Sequence, residues 1–469
     1  MKKIALCLIL LSGCATDQGS RQWLAGDHHI HSQFSVGWDN SNPPKPIVGG
    51  DAAYTITKNA EMARKFGLDW MVSTDHGGPN HSKVNLEQAY PEILRARDAV
   101  PEVIQFVGLE LNTPGADHSS IIVPHDEHES EHLHEYESQF DVREPWPNDG
   151  SRNNEDLMLE ALAFVDQWEK KPVVIAHHPS RSATGLDRYG ATSPAELRRW
   201  NDTAPDVAVG MEGAPGHQAA VFKKGIGIQN FPPWVLARGA YGRGHPTMGG
   251  FDQMTAKLGG FWDSMLGEGR RWWITANSDS HVHYTEGGID FWPGEYSKTY
   301  VYAQKSHDSI LRGIREGRIF VTTGDLITEL YVTVESKSNS ASIGEEIVTK
   351  SGDTVTVNIR ARDPVAVNVS GDRPTVERVD LIIGKVGEKS SDTSLNNNPS
   401  TQVVKRFESW TRDGEYLSMY HTLRVDQNSY IRVRGTNNLE ELEPKADDHG
   451  EDPWTDLWFY SNPIFIKVM

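Results

Sequence analysis

The stretch that decides the fold is FGLDWMVSTDHGG, which spans Phe66–Gly78. Its apolar run is short, contains residues that favour a buried strand, and ends in the polar pair Asp75 and His76. Four later segments also carry a short apolar run beside polar side chains: Glu102–Gly115, Lys171–Ser180, Asp206–Gly216 and Arg270–His281. The repetition predicts several buried strands with polar groups at their ends.

Helical patterns lie between these strand segments, in Asp51–Gly67, Asn153–Lys171 and Ser306–Arg318. In the last of them, Ser306 is placed as an N-cap and Gly317 as a C-terminal stop. Strands that alternate with helices predict parallel β/α units. In a β/α barrel, the side chains at the carboxyl ends of the strands converge on one face, where the active site lies.

The composition changes after Asp325, where β-branched and alternating runs replace the helical periodicity. These runs predict a smaller antiparallel β domain, a sandwich. The expected organisation is therefore a signal and tether over 1–23, an α/β barrel over 24–325 and a β-rich domain over 326–469.

The chain of 469 residues has a formal net charge of −19. No block of lysines and arginines stands out, and a surface of this sign repels phosphate backbones. Nucleic-acid binding as the main function is therefore disfavoured.

The N-terminus predicts export. Two lysines precede the short apolar run Ile4–Gly13, which is too short to span a bilayer, and Leu11–Cys14 (LSGC) is similar to a bacterial lipobox. This pattern predicts that Cys14 is lipidated and anchors the protein to a membrane, facing the periplasm or at the outer membrane or cell surface. Since Cys7 lies in the segment that would be removed, no disulfide is expected.

Candidate metal ligands begin in GDHHIHSQFS, Gly26–Ser35, where His29 and His31 are two residues apart on an extended segment. They therefore point the same way and can hold one ion together. Further histidines and carboxylates are each expected just after a strand: His76, Glu110, His118, His177, His178, Asp279 and His281. Imidazoles and carboxylates without thiolates favour catalytic Zn, Mn or Fe.

The order of these motifs resembles that of the PHP (polymerase and histidinol phosphatase) superfamily over residues 24–325. The segment Glu295–Asp325 is similar to the branch that includes carbaryl-hydrolase-like and other exported PHP metallohydrolases. The resemblance implies a distorted seven-stranded β/α (TIM-like) barrel that binds two or three divalent metal ions.

The resemblance also implies how the ligands divide. One ion would be held by His29, His31 and Asp279, and Glu110 would bridge to a second ion held by His118 and His178. His178 is preferred to His177 because the family ligand directly precedes a proline.

A third ion would be held by His76 and His281. The family often adds an acidic residue or histidine at the position of Val36 or Gly37, neither of which can bind metal. Asp39 is the alternative ligand.

The predicted function is a metal-dependent phosphoesterase, in which a water ionised between two ions attacks a small phosphorylated substrate. Glu110 and Asp279 would serve the chemistry through the metals, and Arg181 would bind the phosphate, with Arg243 and Lys298 as weaker candidates. Two alternatives stay open: a carboxylic ester or carbamate hydrolase with the same metal site, and a surface binding lipoprotein with the barrel as scaffold.

Overall fold

A computed structural model describes residues 20–216, 241, 246–283, 290–447 and 452–469. The predicted lipid-bearing Cys14 and the candidate Arg243 lie outside the described residues. Within these ranges, every helix is too short or too polar to cross a membrane.

The strands follow one another along the chain as β1 (Gln22–Ile30), β2 (Gly37–Trp38), β3 (Pro46–Ile47), β4 (Trp70–Ser73), β5 (Ile104–Asn112), β6 (His118–Ile122), β7 (Val173–Ala176), β8 (Ala208–Pro215), β9 (Trp273–Asn277), β10 (Ser297–Ala303), β11 (Ile319–Thr323), β12 (Glu329–Glu335), β13 (Ser340–Ser342), β14 (Glu346–Thr349), β15 (Asp353–Arg362), β16 (Arg378–Lys385), β17 (Gln402–Phe407), β18 (Thr411–Asp413), β19 (Tyr416–Val425), β20 (Ser429–Thr436), β21 (Trp458–Ser461) and β22 (Ile464–Val468).

The α-helices of the described residues are Ile56–Lys65, His81–Val84, Tyr90–Ala99, Glu129–Phe140, Glu155–Asp166, Pro194–Thr203, Gln253–Ala256, Phe261–Gly267 and His307–Arg315, with a π-helical turn at Asn85–Ala89 and a 3-10 turn at Gly150–Arg152.

The helix His307–Arg315 illustrates why these segments fold as predicted. The side chain of Ser306 accepts a hydrogen bond from the backbone N–H of Ser309, as an N-cap does. Gly317 follows the helix with a φ of 68°, a left-handed conformation that glycine adopts without steric cost. The cap and stop expected from the sequence are therefore confirmed.

The large sheet has fifteen strands and is mixed. β1, β4 and β5 are parallel, and so are β7, β8 and β9. Between these two groups, β6 runs antiparallel to both β5 and β7. The α/β class is confirmed, but the expected succession of parallel units is interrupted at β6.

Strand pairing among the described residues does not close into a barrel, so the TIM-like barrel is not confirmed. The segment after β9 nevertheless lies beside the end of β1. The backbone N–H of Asp279 donates to the carbonyl of His29 at 3.0 Å, and that of His31 donates to the carbonyl of Ser280 at 3.0 Å. The two ends of this part of the sheet therefore meet at the segments that carry candidate ligands.

The C-terminal strands form two assemblies. β13, β12, β15, β19 and β18 make a five-stranded antiparallel sheet, as expected for this region. The other strands after residue 325 join the large sheet, where Val321 of β11 pairs with Tyr460 of β21. Backbone pairing therefore continues across the predicted domain boundary, and Leu330, Val357 and Phe459 are buried in one hydrophobic core.

Close packing against β4 positions β1, the strand that leads to the first candidate ligands. Gly26 of β1 lies against the buried ring of Trp70 in β4, where an added Cβ would lie 1.9 Å from the nearest ring atom. Only glycine leaves room for this approach, which is far below van der Waals contact for any other side chain. The strand that leads to His29 and His31 is therefore held directly against β4.

Candidate metal centre

The candidate ligands lie at one edge of the large sheet. His29 and His31 come at the end of β1, His76 follows β4, His177 and His178 follow β7, and Asp279 and His281 follow β9. These strands are parallel within their groups, so their carboxyl ends share an edge. The structure brings all eight predicted metal ligands together there: His29, His31, His76, Glu110, His118, His178, Asp279 and His281.

Two ligands reach the edge differently from what the sequence indicated. Glu110 lies within β5 and not after it, and His118 is the first residue of β6. Because β6 is antiparallel to β5, its first residue lies at the same edge as the end of β5, and His118 pairs with Asn112. The expectation that every ligand follows a strand is therefore wrong for these two residues.

The first ligand group contains His29, His31 and Asp279. Asp279 Oδ1 lies 3.0 Å from His29 Nε2 and 3.2 Å from His31 Nε2, and the two Nε2 atoms are 3.0 Å apart. Ligands of a tetrahedral ion with bonds of about 2.1 Å stand roughly 3.4 Å apart. The three atoms are therefore spaced as the ligands of one small cation.

The second ligand group is centred on Glu110 and contains His118 and His178. Oε1 of Glu110 lies 2.8 Å from His118 Nδ1 and 3.2 Å from His178 Nε2. It also lies 3.1 Å from Nδ1 of His177, so the sequence preference for His178 over His177 is not settled by distance to the carboxylate.

Glu110 also contacts the other histidines. Oε1 lies 3.2 Å from His29 Nε2, and Oε2 lies 3.4 Å from His31 Nε2 and 3.9 Å from His76 Nε2. One carboxylate therefore faces imidazoles of separate groups with its two oxygens, which is the arrangement of a bridging ligand.

The third ligand group joins His31, His76 and His281. The rings of His31 and His281 are stacked with centroids 3.9 Å apart. Oδ2 of Asp51 lies 3.0 Å from His76 Nε2 and 3.4 Å from His281 Nε2. A carboxylate therefore completes this group.

Asp51 is a functional candidate that the sequence reasoning missed. It lies in the loop between the two-residue strand β3 and the helix Ile56–Lys65, where no apolar run marks it in the sequence. The alternative Asp39 instead accepts hydrogen bonds from the backbone N–H groups of Ser41 and Lys45 at 3.0 and 2.8 Å, which stabilise its own loop. The carboxylate of Asp39 is therefore used within its own loop, and Asp51 supplies the carboxylate beside His76 and His281.

Groups behind the ligands orient the imidazoles. Nδ1 of His29 lies 2.7 Å from Glu212 Oε1, and Nδ1 of His31 lies 2.8 Å from Ser35 Oγ. Each ring therefore presents Nε2 to the cluster, as histidine ligands supported through their second nitrogen do. Glu212 was not singled out from the sequence, although a carboxylate inside the apolar run of β8 is an unusual residue that needs a buried partner.

Two neighbours of the ligands have supporting positions. Asp75 accepts hydrogen bonds from the hydroxyls of Ser32 and Ser35 at 2.7 and 2.9 Å, and so holds the loop after β1. His28 is buried with Nε2 2.8 Å from Thr275 Oγ1, and burial lowers the pKa of its imidazole to about 3. His28 is therefore a neutral core residue.

The imidazoles of the cluster differ in the direction in which their pKa values are shifted. Burial opposes protonation of His29, but the carboxylates of Asp279 and Glu110 outweigh it and raise the pKa of His29 well above its usual value. Burial and the neighbouring His281 lower the pKa of His31 well below its usual value. Burial opposes ionisation of Glu110, but His118 and His29 lower the pKa of its carboxyl well below the usual range. The cluster therefore holds ionised carboxylates beside imidazoles, the donor set for a cation.

The backbone is strained at two ligands. His178 has a φ of 23° and Asp279 a φ of 51°, conformations that are uncommon for residues other than glycine. Such conformations persist where surrounding structure imposes them, and they are concentrated at functional sites. Here they turn both side chains into the cluster.

Arg181 lies at the rim of the site. Its guanidinium pairs with both carboxylate oxygens of Asp117, and Nη2 lies 3.4 Å from His118 Nδ1. Lys298 is instead buried beside Asp325, with Nζ 2.6 Å from Oδ1. The structure therefore brings Arg181 to the candidate site, whereas Lys298 pairs elsewhere.

The donor set fits divalent ions such as Zn, Mn or Fe. Buried imidazole nitrogens and carboxylate oxygens supply at least three ligand atoms to each of three groups, with all atoms of a group within 4.8 Å of one another. Thiolates are absent from these groups, as in catalytic sites of this kind. The groups can therefore bind metal ions, and the role of each residue as a ligand stays a prediction.

Comparison with known proteins gives little further information. No family model matches the chain, and no curated protein matches it. Among solved structures, PsfC from Pseudomonas syringae PB-5123 is similar at 14% identity and a TM-score of 0.30, over 63% of this chain and 88% of that chain. Endonuclease Q, in complex with a 27-mer duplex substrate that carries an abasic lesion at the active site, is similar at 13% identity and a TM-score of 0.33, over 63% of this chain and 56% of that chain.

Proposed function

We propose that this protein is a metal-dependent phosphoesterase that hydrolyses small phosphorylated compounds. The observation that carries the proposal is Glu110, whose Oε1 faces His118 and His178 of the second ligand group while its Oε2 faces His76 of the third. The order of motifs that resembles the PHP superfamily supports the same chemistry.

The candidate residues would have different roles in the reaction. Divalent ions held by these residues would supply Lewis acidity and make hydroxide available near neutral pH. Glu110 and Asp279 would hold the ions and offset their charge with ionised carboxylates. Arg181, at the rim, would donate hydrogen bonds to phosphate oxygens as charge grows on them.

A second candidate is a carboxylic ester or carbamate hydrolase with the same metal site. The pairing of Arg181 with Asp117 favours this candidate, because the carboxylate of Asp117 offsets the positive charge that would otherwise attract a phosphate. A neutral ester requires no such charge. The two candidates therefore differ in whether Arg181 leaves Asp117 to bind substrate.

A substrate panel tests both candidates. Purified protein is loaded with Zn or Mn and assayed against matched aryl phosphates and aryl esters, with and without a chelator. Chelator-sensitive release from phosphates supports the proposal, whereas release from esters alone supports the second candidate.

Asp279→Ala tests the remaining alternative, a binding lipoprotein with the metal-ligand domain as scaffold. Loss of turnover in this variant fits a hydrolase. Protein with no turnover in any form, and with unchanged binding to its partner in the variant, would instead be a scaffold.

The proposed location is outside the cytoplasm, with the protein anchored through lipid on Cys14. Metabolic labelling with a radioactive fatty acid tests this directly. Cys14→Ser should abolish the label and release the protein from membranes, whereas unchanged fractionation would contradict the anchor.

A further inference from the structure

A large cavity lies at the other end of the strands that carry the candidate ligands. Its volume is about 910 Å³, a size that suits a small-molecule ligand. Lys171 lies just before β7 and Arg271 just before β9, whereas His178 and Asp279 follow the same strands. The cavity and the metal centre are therefore separated by the length of a strand, roughly 15 Å.

The cavity is basic in a protein that is acidic overall. Seven lysines and arginines line it against four aspartates and glutamates, while the whole chain has 46 basic and 65 acidic residues. A local excess of positive charge in a concave surface attracts anions by concentrating the field.

Several cations of the cavity are not fully neutralised by protein carboxylates. Among the described residues, Arg312 makes no side-chain hydrogen bond or ion pair. Arg315 donates to backbone carbonyls, including that of Asp206 at 3.0 Å. Arg271 pairs with Glu346 through Nη2 at 2.8 Å, and its guanidinium lies 3.7 Å from the ring centroid of Phe465. An anion in the cavity would give the guanidinium of Arg312 hydrogen-bond partners.

The other lining cations are engaged and would contribute less. Arg270 and Lys389 both pair with Asp202, at 2.8 and 2.6 Å. Lys171 pairs with Asp166 at 2.7 Å. The available positive charge is therefore concentrated on Arg312, and on Arg315 and Lys170, which donate to backbone carbonyls and not to carboxylates.

The pKa of Arg315 is consistent with a second guanidinium group nearby in the cavity. Burial, and to a smaller extent the neighbouring Arg312, lower the pKa of Arg315, while Asp206 partly offsets both. Two guanidinium groups that repel each other in a concave surface are stabilised by an anion between them.

We infer that this cavity is an anion-binding site, distinct from the metal centre, that takes a group bearing phosphate. Guanidinium groups match the geometry of phosphate oxygens, and several cations suit an anion with more than one negative charge. The group can belong to a soluble phosphorylated compound or to an anionic lipid headgroup. The second source is included because β1 also begins at this end, and the proposed lipid anchor at Cys14 would precede Gln22 by a short tether.

The test uses full-length, metal-loaded protein and two probes. The soluble probe is pyrophosphate, and its binding is measured by calorimetry. The lipid probe is a vesicle of phosphatidylcholine that contains anionic phosphatidylglycerol at about 30 mol%, and its binding is measured by sedimentation. The variant combines Arg312→Gln with Lys170→Gln, which remove charge from the cavity without touching the candidate metal ligands. The matched control combines Lys337→Gln with Lys405→Gln, two exposed lysines that do not line the cavity.

We expect the variant to weaken binding of at least one probe about tenfold or more, since it removes charged hydrogen-bond donors. The control should change it less than about twofold. Loss of pyrophosphate binding identifies a soluble ligand, and loss of vesicle binding identifies a headgroup. If neither probe binds, or the variant binds both as the control does, the inference is overturned. Metal-dependent turnover should stay the same in both variants, so failure of this inference is separable from failure of the proposed function.

Discussion

Asp51 Oδ2 lies 3.0 Å from Nε2 of His76, in the third ligand group, for which the sequence suggested Asp39 as the acidic ligand. Burial opposes ionisation of Asp51, but hydrogen bonds from His281 and His76 lower the pKa of its carboxyl far below the usual value. An ionised carboxylate therefore completes a group of imidazoles that could otherwise attract a cation only weakly.

Asp51→Asn should lower the bound metal per protein and reduce turnover by about 10- to 100-fold, the range typical when a group that supports a metal site is removed. Elemental analysis and steady-state assays on the same preparation measure both effects. Asp39→Asn is the matched control, because Asp39 bonds only within its own loop. Equal effects of the two substitutions would mean that Asp51 has no special part in the site.

Glu212→Gln should weaken metal binding by about 10- to 100-fold, because the carboxylate orients His29 through its Nδ1. Competition with a coloured chelator gives the affinity. Glu196→Gln is the control: burial and the nearby Glu155 raise the pKa of Glu196 to about 8, so a neutral amide replaces a carboxyl that is already protonated at neutral pH. Unchanged affinity in Glu212→Gln would remove Glu212 from the site.

Arg181→Lys should reduce kcat/KM for aryl phosphates by about 10- to 100-fold, because a lysine cannot donate two parallel hydrogen bonds to phosphate. The same variant should change kcat/KM for aryl esters much less. Arg199→Lys is the control, since Arg199 also pairs with a carboxylate, that of Glu155, on an outer helix. A parallel loss on both substrate types would show that Arg181 stabilises the site and does not select phosphate.

His81 makes the stability of the fold depend on pH. Burial opposes its protonation, but Glu137 raises the pKa of His81 to about 9, above the ordinary value of 6.5. The stabilisation is therefore complete below pH 6.5 and is lost as pH rises through about 9. One pKa unit corresponds to about 1.36 kcal/mol, so the full contribution to the free energy of unfolding is roughly 3 kcal/mol.

Urea unfolding of the wild type and His81→Gln at several pH values between 6 and 10 measures this contribution. The difference in unfolding free energy between the two proteins should shrink by roughly 3 kcal/mol as pH rises across this range. His128→Gln, at a largely exposed imidazole, should show no such trend. A constant difference for His81→Gln would contradict the ion pair with Glu137.

The sequence predicted the secondary-structure elements better than the direction and pairing of the strands. The strand β4, the capped helix His307–Arg315 and the β-rich region after residue 325 are all present, because apolar periodicity and capping residues act locally. The antiparallel direction of β6 and the pairing of β11 with β21 were not predicted. Both depend on contacts between segments far apart in the chain, for which the sequence has no local signal.

The sequence by itself determined which residue types can hold a cation, since histidines and carboxylates beside short apolar runs identified His29, Glu110 and Asp279. Only the tertiary structure decided which groups meet: it placed Asp51, from a loop with no apolar run in front of it, beside His76, and Glu212 behind His29. The physical reason is that a ligand's chemistry belongs to its own side chain, whereas a site requires distances of about 3 Å between atoms, and folding alone creates these.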